Sequence, residues 1–159
     1  MMRTPREISP YRFFQERYRD EPWRLLVVVI MLNQTNGKQV ERVHERFFEW
    51  WPTPEALWDA PVTQAGADEI IAEMADVLRP LGLQNRRALR IWRMTFDYLI
   101  VRPDPCSDVT SLHGCGRYAQ DSWDIFVRGE LPTLDAVDDK ELRRYVEWAT
   151  EEGMCLKSS

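Results

Sequence analysis

The stretch SLHGCGRYAQDSWDIF, residues 111–126, places two glycines around one residue, Gly114-Cys115-Gly116, between a short apolar segment and a segment with helical spacing. Glycines in a turn between two helices supply positive φ angles or allow close approach to the backbone. Taken alone, the pair is explained by a helix C-cap followed by a loop glycine. It also fits a helix-hairpin-helix, whose free backbone amides and helix N-terminus accept a phosphate. The pattern by itself leaves both interpretations open.

Length and composition predict one globular domain covering residues 1–159, with about ten N-terminal and six C-terminal residues flexible. The net charge of −5 argues mildly against a partner held by charge alone. A hairpin amide site would bind a nucleic-acid backbone without a basic surface, and it would position the duplex without reading its sequence. The longest apolar run, Leu25 to Leu32, is too short to cross a membrane, so no membrane partner is expected.

Apolar spacing predicts an all-α domain. The run from Leu25 to Leu32 follows Pro22 and predicts a helix that is buried on all sides, because no second strand-like segment could pair with it. Helical spacing predicts further helices over residues 11–18, 37–51, 54–60, 66–78, 85–101 and 140–152, the last ended by Gly153. In the helix over 85–101 the predicted apolar face comprises Leu89, Trp92, Phe96 and Leu99.

Two kinds of charged residue suggest a function. The segment LDAVDDKELRRYVEW, residues 134–148, has Asp138 and Asp139 at a predicted helix start, where an aspartate ordinarily caps the helix. A carboxylate fixed there could also stabilise the oxocarbenium-like transition state of glycosidic bond cleavage. A series of arginines, without an acid between them, forms either a phosphate-facing stripe or a solvated helix face: Arg79, Arg86, Arg87, Arg90 and Arg93.

Several blocks of the sequence, in the same order, resemble the helix-hairpin-helix DNA glycosylases. They are FFQERYRDEPWRLLVVVIMLNQTNGK (13–38), LRPLGLQNRRALRI (78–91), LHGCGRYAQDSWDIF (112–126) and DKELRRYVEWA (139–149). Within that superfamily the blocks are most similar to the glycosylase domain of the methyl-CpG-binding thymine glycosylases. The resemblance implies two helical lobes with an active-site cleft between them, and excision of thymine or uracil opposite guanine.

The resemblance also implies roles for individual residues. Asp139 falls on the catalytic aspartate, and Gln15 falls on a glutamine that hydrogen-bonds the flipped pyrimidine. Tyr118 lies in the base pocket, at the position where bifunctional members carry a lysine that attacks the sugar. A phenol is a poor substitute for that amine, so hydrolysis without a lyase step is expected.

DNA-contacting positions follow from the same alignment. Leu83 falls on a residue that wedges into the duplex, and Gln34 falls where relatives place an arginine that fills the vacated space. Glu141 replaces a lysine that contacts DNA in the relatives. The remaining positions expected to contact DNA are His113, Gly114, Gly116 and Lys140.

The expected partner is double-stranded DNA with a G·T or G·U mispair, bound by a monomer that is nuclear in a eukaryote and otherwise cytoplasmic. Many superfamily members hold a [4Fe–4S] cluster with four cysteines after the last helix, but only Cys155 is present there, so no cluster and no metal ligand set are expected. The resemblance leaves room for a monovalent cation at the hairpin. Two alternatives remain: a helix-hairpin-helix DNA-binding module with weak or no turnover, and an unrelated helical interaction protein.

Overall fold

The computed structural model describes the backbone of residues 2–58 and 64–158, and the side chains of residues 2–58 and 65–153. Within these ranges the helices are α1 (Phe14–Arg17), α2 (Pro22–Leu32), α3 (Gly37–Glu41), α4 (His44–Trp50), α5 (Pro54–Trp58), α6 (Gln64–Leu78), α7 (Gln84–Val101), α8 (Arg117–Ser122) and α9 (Lys140–Ser158). Helix α8 continues as a π-helical segment, Trp123–Arg128. The all-α prediction is confirmed. In the described ranges the only extended pairing is one isolated bridge between Arg3 and Glu130.

Helix α2 lies at the centre of the molecule, as its apolar run predicts. Its residues Leu25, Leu26, Val27, Val28 and Met31 are fully buried. The helix packs against α1, α3, α7, α8 and the π-helical segment, so it presents no polar face to solvent. The buried apolar side chains around it belong to one hydrophobic cluster.

Two groups of helices pack on opposite sides of α2. Helices α3 to α7 form one lobe, in which α7 contacts α5 and α6, and α4 contacts α6. The N-terminal segment, α1, α8 and α9 form the other lobe, where Phe13 and Phe126 contact the ring of Tyr145 in α9. A cleft lies between the lobes, as the resemblance implies. No helix in the described ranges is both long enough and apolar enough to span a membrane.

Three predicted helix boundaries are wrong. The first helix begins at Phe14 and not at Tyr11. The helix predicted over 37–51 is broken between α3 and α4, where Val43 N–H donates to Val40 at i−3 (3.0 Å) and both side chains are buried. The break is a turn at Arg42 and Val43, and no Gly or Pro marks it in the sequence.

The last helix continues past Gly153, where the sequence predicts its end. A Cβ atom at Gly153 would lie 2.5 Å from Cε of Met2, so this glycine lets the N-terminal segment pass close to α9. The prediction that about six C-terminal residues are flexible falls on side chains outside the described part of the chain.

The N-terminal segment is hydrogen-bonded to the residues that follow the π-helical segment, and the flexibility predicted for it stays a prediction. Thr4 N–H donates to the carbonyl of Gly129 (2.9 Å), and Leu131 N–H donates to the carbonyl of Met2 (2.9 Å). Long-range backbone hydrogen bonds of this kind cannot be read from local composition.

The buried face of α7 also differs from its predicted face. Ala88, Ile91 and Met94 are buried, whereas Phe96 is 42% exposed. Phe96 instead contacts the ring of Trp58 on the surface, at a centroid distance of 5.0 Å. The predicted face is therefore displaced around the helix by roughly one residue position, about 100°.

Candidate active site and DNA interface

A cleft of about 1070 Å³ brings together residues that lie far apart in the sequence. Its lining includes Gln15, Gln34, Tyr118, Asp139 and Lys140. These residues come from α1, the loop after α2, the start of α8 and the start of α9. The cleft therefore contains five of the nine positions that the sequence predicts to act in catalysis, base recognition or DNA binding.

Asp139 caps helix α9. Its Oδ1 atom accepts hydrogen bonds from the backbone N–H groups of Glu141 (3.0 Å) and Leu142 (2.9 Å). Among the described residues Oδ2 receives no hydrogen bond, and the half-buried side chain lines the cleft. Capping and a catalytic role are thus compatible, because the two oxygens of one carboxylate can serve them separately.

Two arginines hold the loop that leads to Asp139. Arg117, the first residue of α8, donates to Oδ2 of Asp138 (2.6 Å) and to the carbonyl of Ala136 (2.5 Å). Arg143 donates to the carbonyls of Leu134 (3.2 Å) and Val137 (3.1 Å). The two neighbouring aspartates therefore have different environments: Asp138 is exposed and paired with Arg117, whereas Asp139 faces the cleft. This arrangement supports the sequence register that places Asp139 at the active site.

Gln15 is buried and fixed in orientation. Its Nε2 atom donates to the hydroxyl of Tyr118 (2.8 Å) and lies 3.5 Å from Oγ of the buried Ser122. Burial raises the pKa of the Tyr118 phenol, and the nearby Asp139 carboxylate raises it further, so the phenol stays neutral. Within the described residues Oε1 of Gln15 has no hydrogen-bond partner, so it can accept one from the N–H of a base.

A buried carboxylate that the sequence analysis missed holds the turn before Gln15. Glu16 accepts hydrogen bonds from Ser9 N–H and Ser9 Oγ (both 2.7 Å), and from Phe13 N–H (2.7 Å). Its side chain closes the turn that precedes α1 and so places Phe13 and Gln15 at the cleft. The sequence offered no capping-box signal for it, because the N-cap residue Phe13 has no side-chain oxygen.

Two residues expected to contact DNA have left-handed backbone conformations. Gln34 has φ +61° in the loop after α2, and Leu83 has φ +48° immediately before α7. Leu83 is 51% exposed, so its side chain is accessible to a duplex, although it does not line the cleft. Positive φ is uncommon for side chains of this kind and indicates a constraint at both positions.

Arg87 links these two loops and is not a phosphate-facing residue. It is only 3% exposed. Its guanidinium donates to the carbonyls of Gly82 (3.0 Å), Ile30 (2.9 Å) and Asn33 (2.6 Å). The interpretation of the arginine series as a phosphate-facing stripe is therefore wrong at Arg87, which joins the residue before Leu83 to the residue before Gln34.

The two hairpin glycines differ in backbone conformation and in the space around them. Gly114 has φ +77°, and a Cβ there would lie 3.6 Å from Cβ of Arg90. Gly116 is extended (φ −105°) and is the uncapped residue before α8, with nothing within 4 Å of a Cβ. Of the two reasons for a glycine in such a turn, Gly114 shows the positive φ and Gly116 shows the open space that allows close approach. Both glycines and Arg90 line a second cavity of about 220 Å³.

His113 is exposed beside the hairpin and lies away from the cleft. Its backbone N–H donates to Oδ2 of Asp97 (2.8 Å), and the residue lines a third cavity of about 300 Å³ with Trp58, Trp92 and Phe96. Its role in DNA binding remains a prediction.

The described residues contain two free thiols and no cluster of potential metal ligands. Within these residues no group of three or more His, Cys, Asp or Glu side chains lies together. Cys106 is an exposed free thiol, and burial raises the pKa of the Cys115 thiol to about 12. Cys155 lies outside the described side chains. A monovalent cation at the hairpin would need backbone carbonyls as ligands, and that of Leu112 already accepts from Cys115 N–H (3.1 Å).

Sequence comparison identifies relatives among characterised proteins, although no protein-family model matches the chain. The chain is 35% identical over 121 residues to a methyl-CpG-binding domain protein 4-like protein of Arabidopsis thaliana, covering 76% of this chain and 24% of that protein. It is 31% identical over 122 residues to a thymine/uracil-DNA glycosylase of Pyrobaculum aerophilum, covering 70% and 49%.

A third relative is a thymine-DNA glycosylase of Aeropyrum pernix, 37% identical over 68 residues, with 43% of this chain and 26% of that protein covered. The chain therefore spans between a quarter and a half of the length of these relatives. Together with the all-α fold, these similarities show that the chain belongs to the helix-hairpin-helix superfamily of DNA glycosylases.

Proposed function

We propose that this protein is a monofunctional DNA glycosylase that excises thymine or uracil opposite guanine, for base excision repair. The observation that carries the proposal is the meeting of Asp139, Gln15 and Tyr118 at one cleft in a member of this superfamily. The names of the relatives support the thymine or uracil type of substrate.

Base flipping would bring the target nucleotide into the cleft. A mispaired base costs less to extrude than a paired one, which favours G·T and G·U sites. Oε1 of Gln15 would accept the N3–H of the pyrimidine, because its Nε2 atom is already bonded to Tyr118. Cytosine has an unprotonated N3 and would present an acceptor to that acceptor, so the same orientation disfavours it.

The free Oδ2 of Asp139 would face the sugar. As the bond between C1′ and the base nitrogen breaks, positive charge develops on the sugar ring, and the carboxylate stabilises it. Water then adds at C1′, and the products are the free base and an abasic site. Tyr118 supplies no amine, so no Schiff base would form at that position.

The alternative function is a DNA-binding module with weak or no turnover. The observation that favours it is Gln34, a neutral residue where relatives place an arginine that fills the vacated space. A loss of that arginine would shorten the lifetime of the extrahelical state without affecting the hairpin.

The test uses end-labelled duplexes that contain one G·T, G·U, A·T or A·U pair, incubated with the protein and then treated with alkali. Strand breaks at the G·T or G·U position, appearing only after alkali, are the expected result. Salt-dependent binding to the same duplexes with no breaks would establish the binding module instead. The absence of both binding and breaks would exclude a DNA function for the isolated chain.

A further inference from the structure

The charged residues that line the cleft fall into two groups. Four cationic side chains have no ion pair or side-chain hydrogen bond among the described residues, namely Arg12, Lys38, Arg42 and Lys140. All four are exposed. Exposed cations that have no partner in the protein remain available to an anionic ligand.

Most acids in the cleft, in contrast, are neutralised within the protein. Glu41 pairs with Arg17 (3.0 Å), and Glu141 pairs with Arg144 (2.9 Å). Asp139 is the remaining carboxylate in the lining. The rim of the cleft is therefore positive, although the whole chain carries a net charge of −5.

Arg12 is held in an uncommon conformation. Its φ angle is +51°, a left-handed conformation that is uncommon for an arginine. Its N–H donates to the carbonyl of Ser9 (3.2 Å), and the buried Glu16 fixes the residues on either side through Ser9 and Phe13. The protein thus maintains a strained turn that places a free guanidinium at the cleft.

Arg42 is fixed by the break between α3 and α4. It follows Glu41, its N–H donates to Gln39 (3.3 Å), and the next residue, Val43, is 1% exposed. The buried valine anchors the backbone while the Arg42 side chain remains exposed at the cleft. Two separate rigid turns therefore present guanidinium groups from the two lobes.

We propose that Arg12 and Arg42 bind backbone phosphates of the DNA strand that enters the cleft. They would restore the positive charge that this chain lacks at Gln34 and Glu141. A guanidinium suits this role because it can donate two parallel hydrogen bonds to one phosphate. This inference rests on the proposed function.

The experiment measures duplex affinity against salt concentration. A labelled G·U duplex that carries an uncleavable 2′-fluoro nucleotide at the target is titrated with the wild type, Arg12→Gln, Arg42→Gln and the double variant. Each lost phosphate contact lowers the slope of log K against log [salt] by about 0.9, so the double variant should lose about 1.8. Arg12→Lys and Arg42→Lys keep the charge and should keep most of the slope.

Arg102→Gln is the matched control. Arg102 is exposed, has a similar φ angle of +47°, and lies at the far end of α7, outside the cleft. Unlike Arg12 and Arg42, it has an ion pair, with Glu55 (3.8 Å). Its substitution removes one positive charge in the same backbone conformation and should leave the slope unchanged. Thermal melts verify that every variant is folded.

The outcomes separate this inference from the proposed function. Wild-type slopes retained by the double variant, in a protein that excises uracil, overturn the role of Arg12 and Arg42 and leave the proposed function intact. An equal loss of slope in Arg102→Gln would show that the slope depends on net charge alone. That result also overturns the role of Arg12 and Arg42. A wild type that neither binds nor cleaves the duplex removes both proposals together.

Discussion

The starts of helices α8 and α9 use the same physical property in opposite ways. Both have free amides and the positive end of a helix dipole. At α9 the protein fills this position itself, because Asp139 accepts from two backbone amides. At α8 the preceding residue is Gly116, with no capping side chain and open space around it.

This difference divides the work of the site. A helix start that is capped by its own carboxylate fixes one carboxylate oxygen and leaves the second free to face a reacting sugar. A helix start without a cap can receive an anion from outside, such as a phosphate. Arg117 joins the two, because it begins α8 and bonds the loop that leads to Asp139.

The largest expected effect is at the capped start. Asp139→Asn should lower the single-turnover excision rate on a G·U duplex on the order of a hundredfold or more, because it removes the charge that faces the oxocarbenium ion. Asparagine is also a good N-cap, so the melting temperature should change little.

The matched variant is Asp138→Asn, which removes an exposed carboxylate of the same type. It should retain most of the rate, and duplex affinity should be near that of the wild type in both variants. If Asp138→Asn is inactive while Asp139→Asn turns over normally, the catalytic carboxylate is Asp138 and not Asp139.

A substitution at the uncapped start of α8 should change the affinity for DNA. Gly116→Val places a branched side chain over the amides of α8 and should weaken the affinity for any duplex about tenfold, the loss of one charge-assisted contact. Affinity measured by fluorescence anisotropy on matched and mispaired duplexes should fall equally. Gly116→Ala should give a smaller loss at an unchanged melting temperature, since a Cβ there meets nothing within 4 Å.

Affinities that are equal for the wild type and Gly116→Val at several salt concentrations would show that no phosphate binds at the hairpin. The comparison of the two helix starts would then be a matter of capping alone.

Loss of the hydrogen bonds by which Arg117 joins the starts of α8 and α9 should have a smaller effect on the excision rate. Arg117→Gln loses the bonds to Asp138 and Ala136, and about 1 kcal/mol of loop restraint corresponds to roughly a fivefold lower excision rate under saturating protein. Arg128→Gln breaks a comparable exposed pair with Glu130 (2.9 Å) outside the cleft and should have no such effect. A rate for Arg117→Gln equal to that of the wild type would mean that the loop holds Asp139 without this arginine.

The sequence predicts those features whose cause is local. Helix α2 follows from an uninterrupted apolar run, and the cap at Asp139 follows from an aspartate before a helical pattern. The positive φ of Gly114 is one that glycine allows, although Gly116 shows that the residue type alone does not fix it. The resemblance to known glycosylases adds the assembly of Gln15, Tyr118 and Asp139 at one cleft, which no local pattern contains.

Features without a local signal in the sequence were missed. The break before His44 carries no Gly or Pro, and α9 continues through Gly153, where a glycine predicts the end of the helix. Arg87 is an arginine in a basic series by sequence, yet three backbone carbonyls from two other segments bury it. Charge and spacing cannot distinguish a structural guanidinium of this kind from one that faces DNA.

The smallest expected effect is that no covalent intermediate forms with DNA. This prediction concerns the side chains at the starts of α8 and α9. Borohydride should trap no covalent adduct between the wild-type protein and a G·U duplex during the reaction, and the abasic strand should break only after alkali or heat.

Tyr118, the second residue of α8, occupies the lyase position and has no amine. Lys140, the first residue of α9, also lines the cleft. It is, however, exposed, whereas Schiff-base lysines are activated by desolvation. Tyr118→Lys places an amine in the buried position and should produce a trapped adduct if the pocket accepts it. Efficient trapping by the wild type that disappears in Lys140→Gln would assign a lyase step to the start of α9.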